Sequence, residues 1–156
     1  MRKKIVIFGK AEAGKSTLIS HIIPDALNVH HRGRTIALDF GSLSYKGKDL
    51  HFFGTPGQLR FDCLRDIIAL KADLSLMVFD GSRPLDTEDE KILNEIEVLN
   101  LPMLALLNQK PPRQRLSIEE VERLCRSFNG FRGALEGDVT NMRFVNKVLE
   151  NIIAHL

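Results

Sequence analysis

At 156 residues the chain has the length of one domain, enough to bury a substantial core. A composition of 44% hydrophobic and 27% charged residues is that of an ordinary globular protein, and a net charge of +2 is too near neutrality to argue for nucleic acid or an anionic membrane; no nucleic-acid partner is expected. No apolar run reaches the ~18 residues of a membrane span, and two cysteines, Cys63 and Cys125, fit a reducing cytosol better than a disulfide framework.

Strand-like sequence begins at Lys4, which leaves no room for a signal peptide. Arg2 stands where myristoylation needs glycine, and the chain ends Ala154-His155-Leu156 without a cysteine for prenylation. A cytoplasmic protein without lipid anchor is the expectation. Histidines 21, 30, 31, 51 and 155 show no zinc-ligand spacing with the cysteines.

Residues 4–8 predict the first strand and residues 15–23 the first helix. Between them the chain reads Gly9-Lys10-Ala11-Glu12-Ala13-Gly14-Lys15-Ser16-Thr17, a G-x-x-x-x-G-K-S phosphate loop set between strand and helix. Gly9 and Gly14 let the backbone curl so that successive N–H groups point at phosphate oxygens. Lys15 reaches the β- and γ-phosphates, and the Ser16 hydroxyl is an oxygen ligand of the kind Mg²⁺ takes. The motif therefore predicts a nucleoside triphosphate with Mg²⁺.

Residues 24–33 read as a polar, basic loop. Strands at 35–45 and 48–53 follow, joined by Lys46-Gly47 as a tight hairpin. After the turn cluster Gly54-Thr55-Pro56-Gly57, a helix is expected over about 59–70. The apolar run 74–79, ending at Asp80-Gly81, predicts a buried parallel strand. Thr87 with Glu90 predicts a capping box for a helix carrying Ile92, Ile96 and Leu99. Residues 101–107 form the next strand. Ser117 with Glu120 caps a helix carrying Val121, Leu124 and Phe128, with Gly130 as its C-terminal cap. Residues 131–135 are a short last strand, and Thr140 opens a final helix with apolar Met142, Val145, Leu149, Ile152 and Ile153 nearly all at helical spacing. Six strands and five helices in alternation imply a single α/β domain over 1–156. Its sheet is mostly parallel, six-stranded, with one antiparallel edge strand and helices on both faces.

The phosphate loop, the basic loop ending in Thr35, the hairpin, and Thr55-Pro56-Gly57-Gln58 together resemble the Ras-like small GTPases. The stretch Phe52-Phe53-Gly54-Thr55-Pro56-Gly57-Gln58-Leu59-Arg60-Phe61 is most similar to the small GTPases of bacteria and archaea. The resemblance implies a three-layer P-loop NTPase fold, the G domain, binding GTP or GDP with Mg²⁺. It implies nucleotide contacts at Gly9, Lys10, Glu12, Ala13, Gly14, Lys15, Ser16, Thr17, Thr35, Gly57, Asn108 and Lys110, and loosely at Ala134 and Leu135. Thr35 would close on Mg²⁺ and the γ-phosphate, the Gly57 N–H would sense that phosphate, and Gln58 would orient the attacking water. Protein effectors or regulators would meet the two switch loops and the hairpin.

Three departures stand out. Gly54 occupies the place of an aspartate that holds Mg²⁺ through water. With Lys46-Gly47 as a tight turn, counting back along the hairpin puts Asp39 opposite Gly54 on the same face, where it would replace that carboxylate; a strand-end aspartate facing solvent is the plainer reading. The guanine-reading pattern Asn-Lys-x-Asp is here Asn108-Gln109-Lys110-Pro111, with Gln109 in the lysine's place and Pro111 in the aspartate's. Asp138 is a nearby carboxylate that would substitute. Arg32, three residues before Thr35, is similar in spacing to the intrinsic arginine of heterotrimeric G-protein α subunits, with Arg34 as rival and an exposed basic loop as the plain alternative.

The leading expectation is a nucleotide-dependent switch with slow Mg²⁺-dependent GTP hydrolysis, Gln58 and Arg32 acting at the reacting phosphate. Ser16, Thr35 and Asp39 would be its metal ligands. An ATP-using P-loop kinase, with Asp80 on Mg²⁺, and a module that binds nucleotide without hydrolysing it are the alternatives.

Overall fold

The computed structural model describes residues 2–23, 27–31, 34–55, 69 and 71–156. Seven strands and four helices are described: β1 Arg2–Phe8, α1 Lys15–Ile22, β2 Leu27–His31, β3 Arg34–Tyr45, β4 Lys48–Gly54, β5 Leu74–Asp80, α2 Thr87–Val98, β6 Met103–Asn108, α3 Ile118–Cys125, β7 Phe131–Gly137 and α4 Met142–Ala154. They form one sheet in the order β2-β3-β4-β1-β5-β6-β7.

The apolar runs of β1, β5 and β6 have the physical origin expected of them: both faces of the sheet are covered. Alternate residues point to opposite sides, so β1 sends Ile5 and Ile7 into one core and Val6 and Phe8 into the other. The first core packs against Leu18, Ile19 and Ile22 of α1 and Phe144, Val145, Val148, Leu149 and Ile152 of α4. The second packs against Ile92, Leu93 and Ile96 of α2 and Val121 and Cys125 of α3. Burial pushes the Cys125 thiol up to about 12, as for a small apolar side chain rather than a reactive one.

Strands β4, β1, β5, β6 and β7 run parallel, and β3 is antiparallel to both its neighbours. The α/β three-layer architecture is thus the one expected, with two corrections to the sheet. The segment read as a basic loop contains a strand, β2, which adds a seventh member. The antiparallel strand β3 therefore lies inside the sheet, between β2 and β4, and not at its edge. The Lys46-Gly47 turn has both residues in the left-handed region, φ 48° and 79°, the geometry that matches hairpin twist. It sets Tyr45 opposite Lys48, and the register continues without a shift to Phe40 opposite Phe53, whose rings lie 4.9 Å apart.

Helix ends differ in detail. Asp86, not Thr87, caps α2, with Asp89 completing the box, while the predicted box of Ser117 and Glu120 caps α3. Asn141 rather than Thr140 caps α4. Arg126 ends α3, and Gly130 serves a different purpose: a Cβ there would sit 2.1 Å from the Leu101 carbonyl oxygen, so it is a close-approach glycine and not a cap. The helix expected over 59–70 lies outside the described residues, apart from Ala69.

Candidate functional site

Strand β1 lies between β4 and β5, which the chain reaches in opposite directions from it. That makes the carboxyl end of β1 the switch point of the sheet, where open α/β sheets form a ligand crevice. The phosphate loop leaves β1 there. Gly9 and Gly14 take φ 153° and 115°, both left-handed, and Glu12 between them takes 66°. A Cβ on Gly9 would meet the Val78 carbonyl oxygen at 2.7 Å, and one on Gly14 the Asn108 amide nitrogen at 2.5 Å. Both glycines are therefore required twice, by backbone conformation and by space.

Lys15, buried, folds back into the loop and donates to the carbonyls of Gly9 and Lys10, each at 2.7 Å. Its ammonium is thereby centred over the curl. Gly14 precedes α1 with no side-chain cap, so the first N–H groups of that helix are left for a ligand rather than a capping oxygen.

A cleft of about 400 Å³ opens beside the loop. One wall is Glu12 and residues 14–17; the other is residues 108–111 and 138–140. Asn108 fastens the two together. Its amide donates to the Ala13 carbonyl at 3.0 Å and its oxygen accepts the Val139 N–H at 3.2 Å, all buried.

The outer carbonyls of the loop are held from a second centre. Asp80, at the end of β5, is buried and accepts from the Ser82 N–H and hydroxyl at 2.9 and 2.6 Å and from Arg83 Nε at 2.8 Å, with Lys110 Nζ at 3.3 Å. Burial pushes its carboxyl up, but these donors and cations outweigh it and hold it at about 2. Arg83 in turn donates to the Ala11 carbonyl and Lys110 to the Glu12 carbonyl, both at 2.7 Å. Asp80 therefore anchors two cations that grip the crest of the loop. Oδ2 meets both cations and Oδ1 both Ser82 donors, so each oxygen is already engaged, which weighs against Asp80 as a Mg²⁺ ligand.

Lys10 departs from expectation. Its side chain leaves the cleft and is buried between Asp86 and Asp89 at the start of α2, 3.0 Å from each. Burial lowers its pKa, but the two carboxylates win and raise it above the ordinary lysine value. Burial raises the carboxyl of Asp89; at Asp86, half exposed, burial is the largest single effect and pushes up, but the contacts from Lys10 and Asp89 together outweigh it and hold the carboxyl low. What Lys10 brings to the loop is its carbonyl.

Ala134 and Leu135 lie within β7, paired with Ala105 and Leu106, and are not among the residues that line the cleft. The strand continues to Gly137, so the loop at its carboxyl end is residues 138–140. Gln109 turns away as well, donating to Glu136 at 3.2 Å, and Lys110 is the lysine that reaches the phosphate loop. Thr55 ties the start of the next loop to β1, its N–H and hydroxyl both donating to the Ile7 carbonyl. Thr35 and Asp39 lie on β3; their side chains, and all of Arg32, Gly57 and Gln58, lie outside the described residues. The residues that sequence reasoning missed are Arg83, Val139 and Thr140. A cation three residues after a strand-end aspartate was a signal for the first, and the rule that sites sit at strand carboxyl ends for the others.

The donor set fits Mg²⁺: the Ser16 hydroxyl lines the cleft next to Lys15, and a hard dication takes oxygen ligands, most of them from phosphates and water. Among the described residues no three His, Cys, Asp or Glu side chains cluster to hold a metal by themselves.

Residues 4–109 match the family model described as 50S ribosome-binding GTPase. The chain belongs to that GTPase family. It is similar to an uncharacterised protein of Methanocaldococcus jannaschii, 38% identical over 106 residues, covering 68% of this chain and 69% of the relative. It is also similar to GTPase Era of Rickettsia typhi, 28% identical over 67% of this chain and 39% of the relative, and to tRNA modification GTPase MnmE of Thermotoga petrophila, 29% identical over 76% and 28%. The chain thus spans well under half of those two GTPases. The GTPase-family match stops at Gln109, so Lys110, Pro111 and residues 138–140 of the second wall lie beyond it. No helix among the described residues is long and apolar enough to cross a membrane.

Proposed function

We propose that this GTPase-family chain binds GTP and GDP with Mg²⁺, hydrolyses GTP slowly, and works as a nucleotide-dependent switch. The observation that carries the reading is the phosphate loop. Two left-handed glycines, an uncapped helix start and a buried Lys15 held over the curl converge beside a cleft large enough for a nucleotide. Lys15 and the α1 N–H groups would bind the phosphates. Mg²⁺, when bound, would neutralise charge on the phosphate oxygens, with Ser16 as a ligand and Thr35 and Asp39 as further oxygen ligands. Gln58 would orient water and Arg32 would offset charge at the transferring phosphoryl group. Thr35 and Gly57 would follow the γ-phosphate, so that its loss changes the surface offered to a protein partner. The family description names the 50S ribosome and one relative's name tRNA; a net charge of +2 does not by itself call for a nucleic-acid partner, and the reading here is a protein effector at the switch loops.

The test is the nucleotide that co-purifies, followed by single-turnover phosphate release from GTP and from ATP, with Mg²⁺ and with a chelator. Guanine nucleotide in the preparation and Mg²⁺-dependent release from GTP are expected. Tight binding with no phosphate release would leave a binding module, and preferential use of ATP would overturn the reading.

A further inference from the structure

The two ends of the cleft differ in chemistry. Residues 14–17 form its phosphate end. Residues 109–111 and 138–140 wall the other end, where a base would sit. Guanine presents two adjacent donors on one edge, N1–H and the N2 amino group, and a carboxylate is the side chain that accepts from both.

Little of that wall can meet such an edge. Both ends of the Asn108 amide are taken by Ala13 and Val139. Gln109 is directed to Glu136. Lys110 has donors only, and Pro111 has no polar side-chain atom. Two carboxylates line the cleft, Glu12 and Asp138. Glu12 is in the phosphate loop; Asp138 is on the far wall. Thr140 orients Asp138: its N–H and hydroxyl donate to Oδ1 at 2.8 and 2.6 Å. Oδ2 accepts from no group among the described residues.

Resting on the guanine-nucleotide reading above, we propose that Asp138 selects the base, accepting through Oδ2 from the N2 amino group of guanine. The carboxylate is thus supplied by the loop after β7 and not by the loop after β6, where Pro111 cannot provide one. Thr140 keeps it in place, and its donors hold the carboxyl below the ordinary value, ionised at neutral pH.

Xanthine carries a carbonyl where guanine carries the N2 amino group, so an amide at position 138 favours xanthine. Asp138→Asn keeps an oxygen for the Thr140 donors. Titration with fluorescent GDP and XDP should give a wild type that prefers GDP roughly tenfold or more, and a variant in which the preference inverts. Should Asp138→Asn not fold, Asp138→Ser serves: the wild-type preference for GDP over IDP, which lacks the N2 amino group, should fall to near parity. A variant that keeps the wild-type GDP preference overturns the assignment of Asp138 alone. A wild type that prefers ADP overturns the guanine reading and this inference with it.

Discussion

Lys10→Met tests whether the buried cation between the phosphate loop and α2 carries structural weight. The Lys10 and Asp89 side chains are 2% and 3% exposed, whereas Asp86 is 53% exposed. Removing one partner of a buried pair costs roughly 3–5 kcal/mol, because the other charge remains without compensation. The half-exposed Asp86 contact adds at most about 1 kcal/mol. A loss of about 3 kcal/mol is expected, which for a domain of this size lowers Tm by roughly 6–12 °C. Equilibrium urea unfolding followed by circular dichroism measures it. The double variant Lys10→Met with Asp89→Leu should recover most of the loss, less roughly 1 kcal/mol for the capping box that Asp89 completes. The sign with pH is also fixed. The raised pKa of Lys10 means its contribution is fully present below the ordinary lysine value of 10.5 and lost as pH rises through its higher folded value. The raised carboxyl of Asp89 means that acid neutralises the orphaned charge, so the deficit of the variant shrinks as pH falls. A single variant within about 0.5 kcal/mol of wild type, or strictly additive single and double variants, would refute the reasoning.

Two further perturbations address the site. Gly14→Ala places a Cβ 2.5 Å from the Asn108 amide nitrogen at φ 115°, so it should part the two walls of the cleft; calorimetry should show GDP binding weakened roughly tenfold or more, and unchanged affinity would contradict the geometry. Asp80, lowered from 3.8 to about 2, supplies about 2 kcal/mol that is present above pH ~4 and lost as pH falls through ~2. Asp80→Asn should therefore lack the steep loss of stability that wild type shows across that window, as read from urea midpoints; parallel profiles would remove Asp80 as the anchor of Arg83 and Lys110.

Much of this architecture is legible in the sequence because local and global signals agree. The apolar alternation of Ile5, Val6, Ile7 and Phe8 already implies two covered faces, and Lys46-Gly47 fixes the hairpin register through a turn with one geometry. The failures have physical causes. Leu27–His31 looks like a loop because it is short, polar and rich in histidine, but an edge strand needs a partner's backbone more than an apolar face. The end of β7 is misjudged because its apolar run stops at Leu135, while the ladder continues for as long as β6 offers partners, through Glu136 and Gly137. The Lys10 ion pair is not readable from the motif, which leaves that side chain open; its partner Asp86 is 76 residues away, beyond the reach of any local pattern. The Asp80 anchor is hidden in the same way, since its two cations bind carbonyls, which no side-chain pattern reports.

The cleft is assembled from segments as far apart as Glu12 and Thr140, fastened by Asn108 from a third strand. No half of the chain owns it. A nascent polypeptide halted after β6 would carry every glycine and lysine of the phosphate loop yet lack the far wall and the Val139 N–H that Asn108 holds. A nucleotide seated between both walls would therefore report that β7 and the loop after it have joined the fold.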